Sequence, residues 1–356
     1  MFDIFAKATP APRDYAACSG CSLCLLVCPV WRKTRDLRYT PHGRAKALQH
    51  GVAAADLKDS IDSCTLCGAC VPACPENIDL VAMTLDLRRQ LPPVRPLAIG
   101  TRGVKKIADY SRQSVLLAGA ALREHDAARR AAMQLLGCAP ALDDGDDIAL
   151  ALEAGAEISA ARQEEFLLPL RTAAQLIVAD ALLAQQLGRW LPQMQISNLG
   201  MALSRRADLR RQLRNDDLYV IEPRAYHADY EARVRYYDDL RHATGCAMNL
   251  DLQRIAIPAT ARNLPQRLGL EPADDTEQTH WLLQGRKIVR IVVEDAGDIA
   301  TFKQTGTLPV VHLAELANEQ LRSEPAPCVK LMSLSSAPAC RRRPRPSALS
   351  TPDSRP

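Results

Sequence analysis

The sequence is poor in aromatic side chains and has no long apolar run. Only 4% of its 356 residues are aromatic, whereas Ala, Leu and Arg are abundant, which favours helices packed through small side chains. No window approaches the roughly 18–20 uninterrupted apolar residues that a membrane-spanning helix needs. The N-terminus also lacks the apolar segment of a secretory signal. We therefore expect a cytoplasmic protein, with peripheral attachment at the inner membrane as a further option.

Two classes of ligand lack support in the sequence. The net charge of +4 is too small for a chain of this length to indicate a nucleic-acid partner. Neither a Walker loop nor a G-x-G-x-x-G segment occurs, so binding of a flavin or a nicotinamide by the chain itself is not indicated.

Cysteine, in contrast, is abundant and unevenly distributed. The chain has 12 cysteines, and eight of them lie between Cys18 and Cys74. Structural disulfides are rare in a reducing compartment, so clustered thiols in such a chain predict metal binding or redox chemistry.

The eight clustered cysteines form two runs with the same spacing, C-x2-C-x2-C-x3-C-P. Three closely spaced thiolates suit one face of an iron–sulfur cube, and the fourth cysteine, which opens a helix pointing away, ligates the other cluster. The pattern therefore predicts two [4Fe–4S] clusters. The predicted ligands are Cys18, Cys21, Cys24 and Cys74 for the first cluster and Cys64, Cys67, Cys70 and Cys28 for the second.

Structural zinc is the alternative for these thiols. Zinc sites usually use paired C-x2-C knuckles and need only four ligands per ion, which fits a doubled run of four poorly. The remaining cysteines, Cys138, Cys246, Cys328 and Cys340, are isolated. Free cysteine often serves as a small buried hydrophobic residue, and we do not expect these four to bind metal.

Composition divides the chain into four regions. Residues 1–90 contain the cysteine runs, residues 91–100 form a proline-rich linker, and residues 326–356 form a basic tail that we expect to be disordered. Between them, residues 101–325 alternate short apolar runs with amphipathic segments, which predicts an α/β domain with a mainly parallel sheet. The predicted strands are 114–118, 176–179, 218–221, 287–293 and 308–312, and the predicted helices 123–136, 162–173, 199–213, 227–242 and 299–303.

Residues 14–90 resemble a known group of electron-transfer subunits. The segment from Thr40 to Arg44 (TPHGR) is similar to the S-P-R-G-R that follows the first run in the iron–sulfur subunits of glycolate oxidase, anaerobic glycerol-3-phosphate dehydrogenase and heterodisulfide reductase. The resemblance implies a helical, ferredoxin-like domain with two clusters that receives electrons from a flavoprotein. Thr40 and His42 depart from the usual residues, which leaves the role of this loop open.

The later part of the chain resembles the cysteine-rich CCG domains of the same family after loss of their cysteines. The sequence has Gly119–Ala120 where Gly-Cys is expected and EPRAYH where Pro-Cys-His is expected, which keeps only His227. No adjacent cysteine pair occurs anywhere in the chain. Because a noncubane cluster or a disulfide-cleaving site needs those thiolates, we expect this region to act as a scaffold or docking surface.

Two charged segments have open interpretations. The segment between the cysteine runs is basic, and its Arg and Lys residues either balance the charge of the clusters or dock an acidic partner. They are Arg32, Lys33, Arg35, Arg38, Arg44 and Lys46. The segment 227–241 is either a partner surface or, as we favour, an amphipathic helix with solvated ion pairs.

The expected function is that of a non-catalytic electron-transfer subunit of an oxidoreductase complex. Its partners would be a flavoprotein dehydrogenase or electron-transfer flavoprotein and a membrane-bound, quinone-linked or other acceptor. Two alternatives remain: a reductase with its own substrate site in the C-terminal domain, and an iron–sulfur sensor or assembly scaffold.

Overall fold

The computed structural model describes residues 13–94, 97–103, 109–110, 112–259, 264–270 and 275–319. The predicted disordered tail, 326–356, lies outside the described residues, as do residues 95–96 of the predicted linker. In the described parts the chain is helical around the cysteine runs and combines helices with parallel sheets afterwards, which confirms the predicted fold class.

The cysteine-rich part is built from short helices. They are α1 (Leu23–Leu26), α2 (Pro29–Thr34), α3 (Pro41–Gln49), α4 (Lys58–Asp62) and α5 (Leu80–Arg89), with 3-10 turns at Tyr15–Ala17, Leu37–Tyr39 and Ala54–Leu57. A parallel bridge between Arg13 and Ile78 joins the two ends of this part. Ile61, Ile78 and Leu87 pack with the cysteines in its small core.

The segment from Thr40 to Gly43 starts helix α3. The Thr40 hydroxyl accepts a hydrogen bond from the Gly43 backbone N–H at 3.0 Å, and Pro41 occupies the first helical position. A Cβ atom at Gly43 would lie 2.0 Å from the carbonyl oxygen of Leu37. Only glycine fits there, and Thr40 serves as the helix cap.

The first sheet has four parallel strands in the order β2-β1-β3-β4. The strands are β1 (Ser114–Leu117), β2 (Ala139–Pro140), β3 (Gln175–Val178) and β4 (Gln195–Asn198). The helices that connect and follow them are α6 (Gly119–Glu124), α7 (Asp126–Leu136), α8 (Asp146–Ala154), α9 (Ala160–Leu170), α10 (Ala181–Trp190), α11 (Leu199–Ser204) and α12 (Ala207–Arg210).

The second sheet repeats this topology with the order β6-β5-β7-β8, again all parallel. The strands are β5 (Asp217–Val220), β6 (Ala247–Met248), β7 (Arg290–Val293) and β8 (Val310–His312). The helices are α13 (Pro223–Ala228), α14 (Tyr230–Thr244), α15 (Leu264–Arg267), α16 (Thr276–Leu283), α17 (Gly297–Thr305) and α18 (Leu316–Glu319), with a 3-10 turn at Leu313–Glu315.

Both faces of the central strands are buried, as is usual in parallel sheets. Val115 and Leu117 of β1 face one apolar cluster, whereas Leu116 faces another that also contains Leu218 and Val292 of the second sheet. Strand β1 contacts both clusters because side chains alternate between the two faces of a strand. The cluster that contains Leu116 joins the two sheets in one core.

All five predicted strands are present, with bounds shifted by a few residues. Three further strands, β2, β4 and β6, were not predicted. Three of the predicted helices are broken: 123–136 spans the end of α6 and all of α7, 199–213 forms α11 and α12, and 227–242 spans the end of α13 and most of α14. No helix in the described segments has the length and apolar character that a bilayer crossing requires.

Candidate metal centre

The two cysteine runs fold into loops of matching backbone conformation. In the first loop the residues two and four positions after Cys18, namely Gly20 and Ser22, have φ values of 85° and 66°. In the second, the residues two and four positions after Cys64, namely Leu66 and Gly68, have φ values of 53° and 77°. Left-handed backbone at two such positions is uncommon in residues other than glycine, and here it lets each short loop curl around its thiols.

The fourth cysteine of each run lies beside the other loop. Burial raises the pKa of the Cys24 thiol to about 12, and the thiols that add to this increase are those of Cys74, Cys18 and Cys21. Burial likewise raises the pKa of Cys70, and nearby thiols raise it further. In decreasing order of effect, they are Cys67, Cys64, Cys28 and Cys24. The thiol of Cys74 thus lies near those of Cys24, Cys18 and Cys21, and the thiol of Cys28 lies near those of Cys67, Cys64 and Cys70. Which thiols hold which cluster stays a prediction.

The two fourth cysteines differ in local structure. Cys28 is the residue before the first turn of α2, with Pro29 at the helix start, as predicted. Cys74 is followed by a turn, and no helix begins until Leu80, so the prediction that it opens a helix was wrong.

A cavity in the cysteine-rich part is bounded by one of these groups. Its walls include Cys28, Cys64, Cys67 and Cys70, and its other residues are mostly apolar. Arg44 also lines it and is 1% exposed. The Nε–H of Arg44 has no acceptor among the described residues. Four thiols and a spare buried donor around an enclosed space fit an iron–sulfur cluster, whose ligands are thiolates and whose sulfurs accept hydrogen bonds.

Within the described residues, no three Cys, His, Asp or Glu side chains converge as ligands of a single metal ion. The ligands of a [4Fe–4S] cluster have a different arrangement, because each of its four thiolates binds a different iron atom.

Buried cations lie close to the second loop. Arg88, which is 2% exposed, donates to the carbonyl oxygens of Cys64 at 2.6 Å and Ile61 at 3.1 Å. Burial raises the pKa of Cys64, but the guanidinium groups of Arg44 and Arg88 outweigh it and hold that pKa below the ordinary thiol value. These cations therefore favour the thiolate, which is the form that ligates iron.

Helix α13, which follows strand β5 of the second sheet, covers this loop. Arg224, at the start of α13, donates to the Thr65 carbonyl at 2.7 Å and to the Glu153 carboxylate at 2.7 Å. The Nδ1 atom of His227 lies 2.8 Å from the Cys67 carbonyl oxygen. His227 is buried on α13, whereas most of the amphipathic helix expected over 227–241 forms α14 and carries the partly exposed pairs Arg233–Asp229 and Arg241–Asp238. Sequence reasoning also missed Arg88 and Arg224, which no spacing rule connects to the cysteines.

The first loop is more open. Cys21 is exposed, and Leu23 and Leu26 of α1 are exposed by 43% and 57%. Lys46 donates to the Cys18 carbonyl at 3.0 Å. The basic segment between the runs is thus divided, because Arg44 is buried at the second loop while Lys46 supports the first.

A cleft of about 510 Å³ opens at the carboxyl ends of both sheets. Gly119, Ala120 and Arg224, at positions where the sequence analysis expects lost cysteines or their neighbours, lie in its wall. Thr65 and Cys67 line the same cleft, so the second loop borders it. Ligands of parallel α/β sheets commonly bind at such carboxyl ends.

Two of the four isolated cysteines fall within the described residues. Cys138 and Cys246 are buried, and Cys246 accepts a hydrogen bond from the Thr244 hydroxyl at 3.0 Å. Cys328 and Cys340 lie outside the described residues. That none of the four binds metal remains a prediction.

Residues 14–78 match the family model described as a 4Fe-4S dicluster domain. The match includes all eight cysteines of the two runs, so this part of the chain is an iron–sulfur domain of a kind consistent with electron transfer. No curated protein and no solved structure matches the chain.

Proposed function

We propose that the chain is an electron-transfer subunit of a multisubunit oxidoreductase, with a flavoprotein on one side and a quinone-linked or other redox acceptor on the other. The observation that supports this proposal is the proximity of Cys74 to the thiols of the first run and of Cys28 to those of the second. The first group, Cys18, Cys21, Cys24 and Cys74, would hold one [4Fe–4S] cluster. The second, Cys64, Cys67, Cys70 and Cys28, would hold the other. Each cluster would supply one-electron redox chemistry.

The protein's own residues give the two sites different surroundings. The exposed Cys21 places the first site at the surface, where a partner can approach. Arg224 and His227 cover the second loop and keep water from much of it. A surface site beside a covered one suits a subunit that takes electrons from one partner and passes them to another.

The experiment is anaerobic reconstitution of the full chain with iron and sulfide. We expect about eight irons per chain and paramagnetic signals after reduction, since each cubane contains four irons. A reduced flavoprotein should then bleach the visible absorption of the clusters. About four irons, or zinc in place of iron, would contradict the proposal.

A second candidate function is a reductase with its own substrate site, and the cleft beside Thr65 and Cys67 favours it. Cys67 is the only thiol among the described residues that line this cleft, so disulfide cleavage there would lack a free cysteine pair. The test is turnover of a small disulfide by the reconstituted chain with an artificial electron donor. Absence of turnover, together with rapid reduction by a flavoprotein, favours the electron-transfer function.

A further inference from the structure

Helix α3 lies between the two cysteine loops and presents one cation to each. Lys46 donates its amine to the Cys18 carbonyl of the first loop at 3.0 Å. Arg44, two residues earlier, donates to the Ser60 carbonyl at 2.8 Å and lines the cavity formed by Cys28, Cys64, Cys67 and Cys70. The helix therefore provides a matched pair of cations, one for each group of thiols.

The Arg44 side chain has donors in excess of its protein acceptors. Its Nη1 atom bonds to backbone and hydroxyl oxygens of Ser60, whereas its buried Nε–H has no acceptor among the described residues. A buried donor without a partner is costly and needs an explanation, and an ion or ligand held beside it is one. The cavity that Arg44 lines is the space in which the second cluster would be held.

The electrostatic surroundings of the two groups differ in number of cations and in burial. Arg44, Arg88 and Arg224 all lie at the second loop, where Arg224 is offset by Glu153, which also pairs with Arg267 at 2.5 Å. At the first loop, Lys46 shares its amine with the Gln49 side chain, and Cys21 is exposed to water.

These surroundings act in opposite directions on reduction, which adds one negative charge. Burial alone disfavours the added charge, whereas nearby cations favour it, and their effect is strongest where water is excluded. Three fixed guanidinium groups against one buried carboxylate leave a positive surplus at the second loop. We judge that this surplus outweighs the burial.

We propose that Arg44 donates its remaining Nε–H to the second cluster and, with Arg88 and Arg224, gives that cluster a higher reduction potential than the first. The inference rests on the proposed two-cluster function and adds an order to it. At equilibrium the first electron resides on the covered second cluster, next to the cleft. Arg44 is a positioning residue here, since it acts through charge and a hydrogen bond.

The test is an anaerobic redox titration of the reconstituted full chain, followed by absorption and electron paramagnetic resonance. Cys21→Ser, which alters only a ligand of the first cluster, assigns the two reduction waves. We expect Arg44→Gln to lower the ratio of reduced to oxidised second cluster about tenfold at a fixed potential, equivalent to about 59 mV for one electron. The reduction wave of the first cluster should stay in place.

Lys46→Gln, on the same helix, is the matched control and should shift only the reduction wave of the first cluster. If Arg44→Gln does not assemble, Arg44→Lys keeps the cation without the Nε–H and should give a smaller shift of the second wave in the same direction. The proposal is overturned if, in the wild type, the second cluster has a lower reduction potential than the first. It is also overturned if neither Arg44 variant shifts the reduction wave of the second cluster. Failure of a flavoprotein to reduce the chain would instead contradict the proposed function and leave the order of the waves standing.

Discussion

His227 and Cys67, 160 residues apart in the sequence, meet at a distance of 2.8 Å between Nδ1 and the carbonyl oxygen. The backbone N–H of Ala256 donates to Nε2 of the same ring at 3.2 Å, so Nε2 is the acceptor and Nδ1 carries the hydrogen. Burial lowers the pKa of His227 to about 4, which keeps the ring neutral at pH 7. A neutral histidine thus joins the second cysteine loop to the second sheet.

Replacing His227 should weaken the second site and spare the first. His227→Ala removes the donor to Cys67 and leaves the Ala256 N–H unsatisfied, which we expect to cost about 1–3 kcal/mol. The measurement is the rate at which a chelator removes iron, resolved by cluster through electron paramagnetic resonance. We expect faster loss from the second cluster alone. His242→Ala is the control, because His242 is exposed and its Nδ1 atom lies 2.7 Å from the Asp238 carbonyl oxygen of the same helix. Equal loss from both clusters would contradict a local role for His227.

The exchange of fourth ligands gives a second prediction. Cys74→Ser should change the spectrum of the first cluster, although Cys74 belongs to the second run, because its thiol lies with Cys18, Cys21 and Cys24. Cys28→Ser should change the second cluster. Electron paramagnetic resonance of each variant, compared with Cys21→Ser and Cys67→Ser, makes the assignment. If Cys74→Ser resembled Cys67→Ser, each run would hold its own cluster and the exchange would be wrong.

The residues around the thiols show what the sequence could predict and what it could not. The repeated spacing predicted an iron–sulfur domain at the two cysteine runs, which the family match confirms, whereas the assignment of each thiol to a cluster stays a prediction. Arg88 and Arg224 reach the second loop from 24 and 159 residues away, and no local pattern encodes such contacts. Charge alone could not separate buried Arg44 from exposed Lys33, since both lie in one basic segment.

Strands β2, β4 and β6 were missed because they are very short or polar. Strands β2 and β6 contain two residues each, too few to show any periodicity. Strand β4 reads Gln-Ile-Ser-Asn and lies at the sheet edge, so it lacks the apolar run of a buried parallel strand. The long apolar strands β1, β3, β5 and β7 were predictable because both of their faces are buried.

A buried ion-pair group should contribute strongly to stability. Glu153 is 1% exposed and pairs with Arg224 at 2.7 Å and Arg267 at 2.5 Å. Glu153→Ala leaves two guanidinium groups with an uncompensated charge, which we expect to cost about 3–5 kcal/mol of unfolding free energy. Denaturant unfolding of the chain measures this. The control Glu164→Ala removes an exposed pair with Arg171 and should leave stability nearly unchanged. Equal losses of stability in the two variants would show that the buried Glu153 pairs stabilise the fold no more than the exposed pair does.

The second sheet should lose protection from exchange in mild acid because of His312. This residue is fully buried, and burial lowers its pKa to about 4 from an ordinary value of 6.5. The unfolded chain therefore binds a proton below pH 6.5 that the folded chain does not. Stability falls as pH decreases from about 6.5 to about 4, by about 1.4 kcal/mol per unit for this one group.

Other groups titrate in the opposite sense, so the contribution of His312 has to be isolated. Burial raises the pKa of Glu222 to about 8, which makes the folded state relatively more stable as pH falls. We therefore compare wild type with His312→Gln by hydrogen exchange over residues 290–312 at pH 7 and pH 5, corrected for intrinsic rates. The loss of protection at pH 5 should be smaller in the variant. The same loss in both proteins would exclude His312 as the cause.

The surface beside the first loop should bind an acidic redox partner. A groove next to exposed Leu26, which lies between Cys24 and Cys28, is lined by Arg32, Lys33 and Arg35 together with Trp31 and Trp281. Apolar side chains within a basic rim suit a partner surface of opposite charge, and such charges act mainly on the rate of association. Arg32 stacks on Trp281 at 4.0 Å and supports the groove, so the exposed Lys33 and Arg35 are the residues to change.

We expect the double variant Lys33→Glu, Arg35→Glu to slow reduction of the clusters by a negatively charged flavodoxin about tenfold at low salt. The difference should shrink as ionic strength rises, because salt screens charges on the surface. Stopped-flow absorption measures the rate. The double variant Arg130→Glu, Arg189→Glu makes the same change in net charge at exposed positions of helices α7 and α10 and should have little effect on the rate. A slower rate in both double variants would assign the effect to net charge, and an unchanged rate in the first would place the docking surface elsewhere.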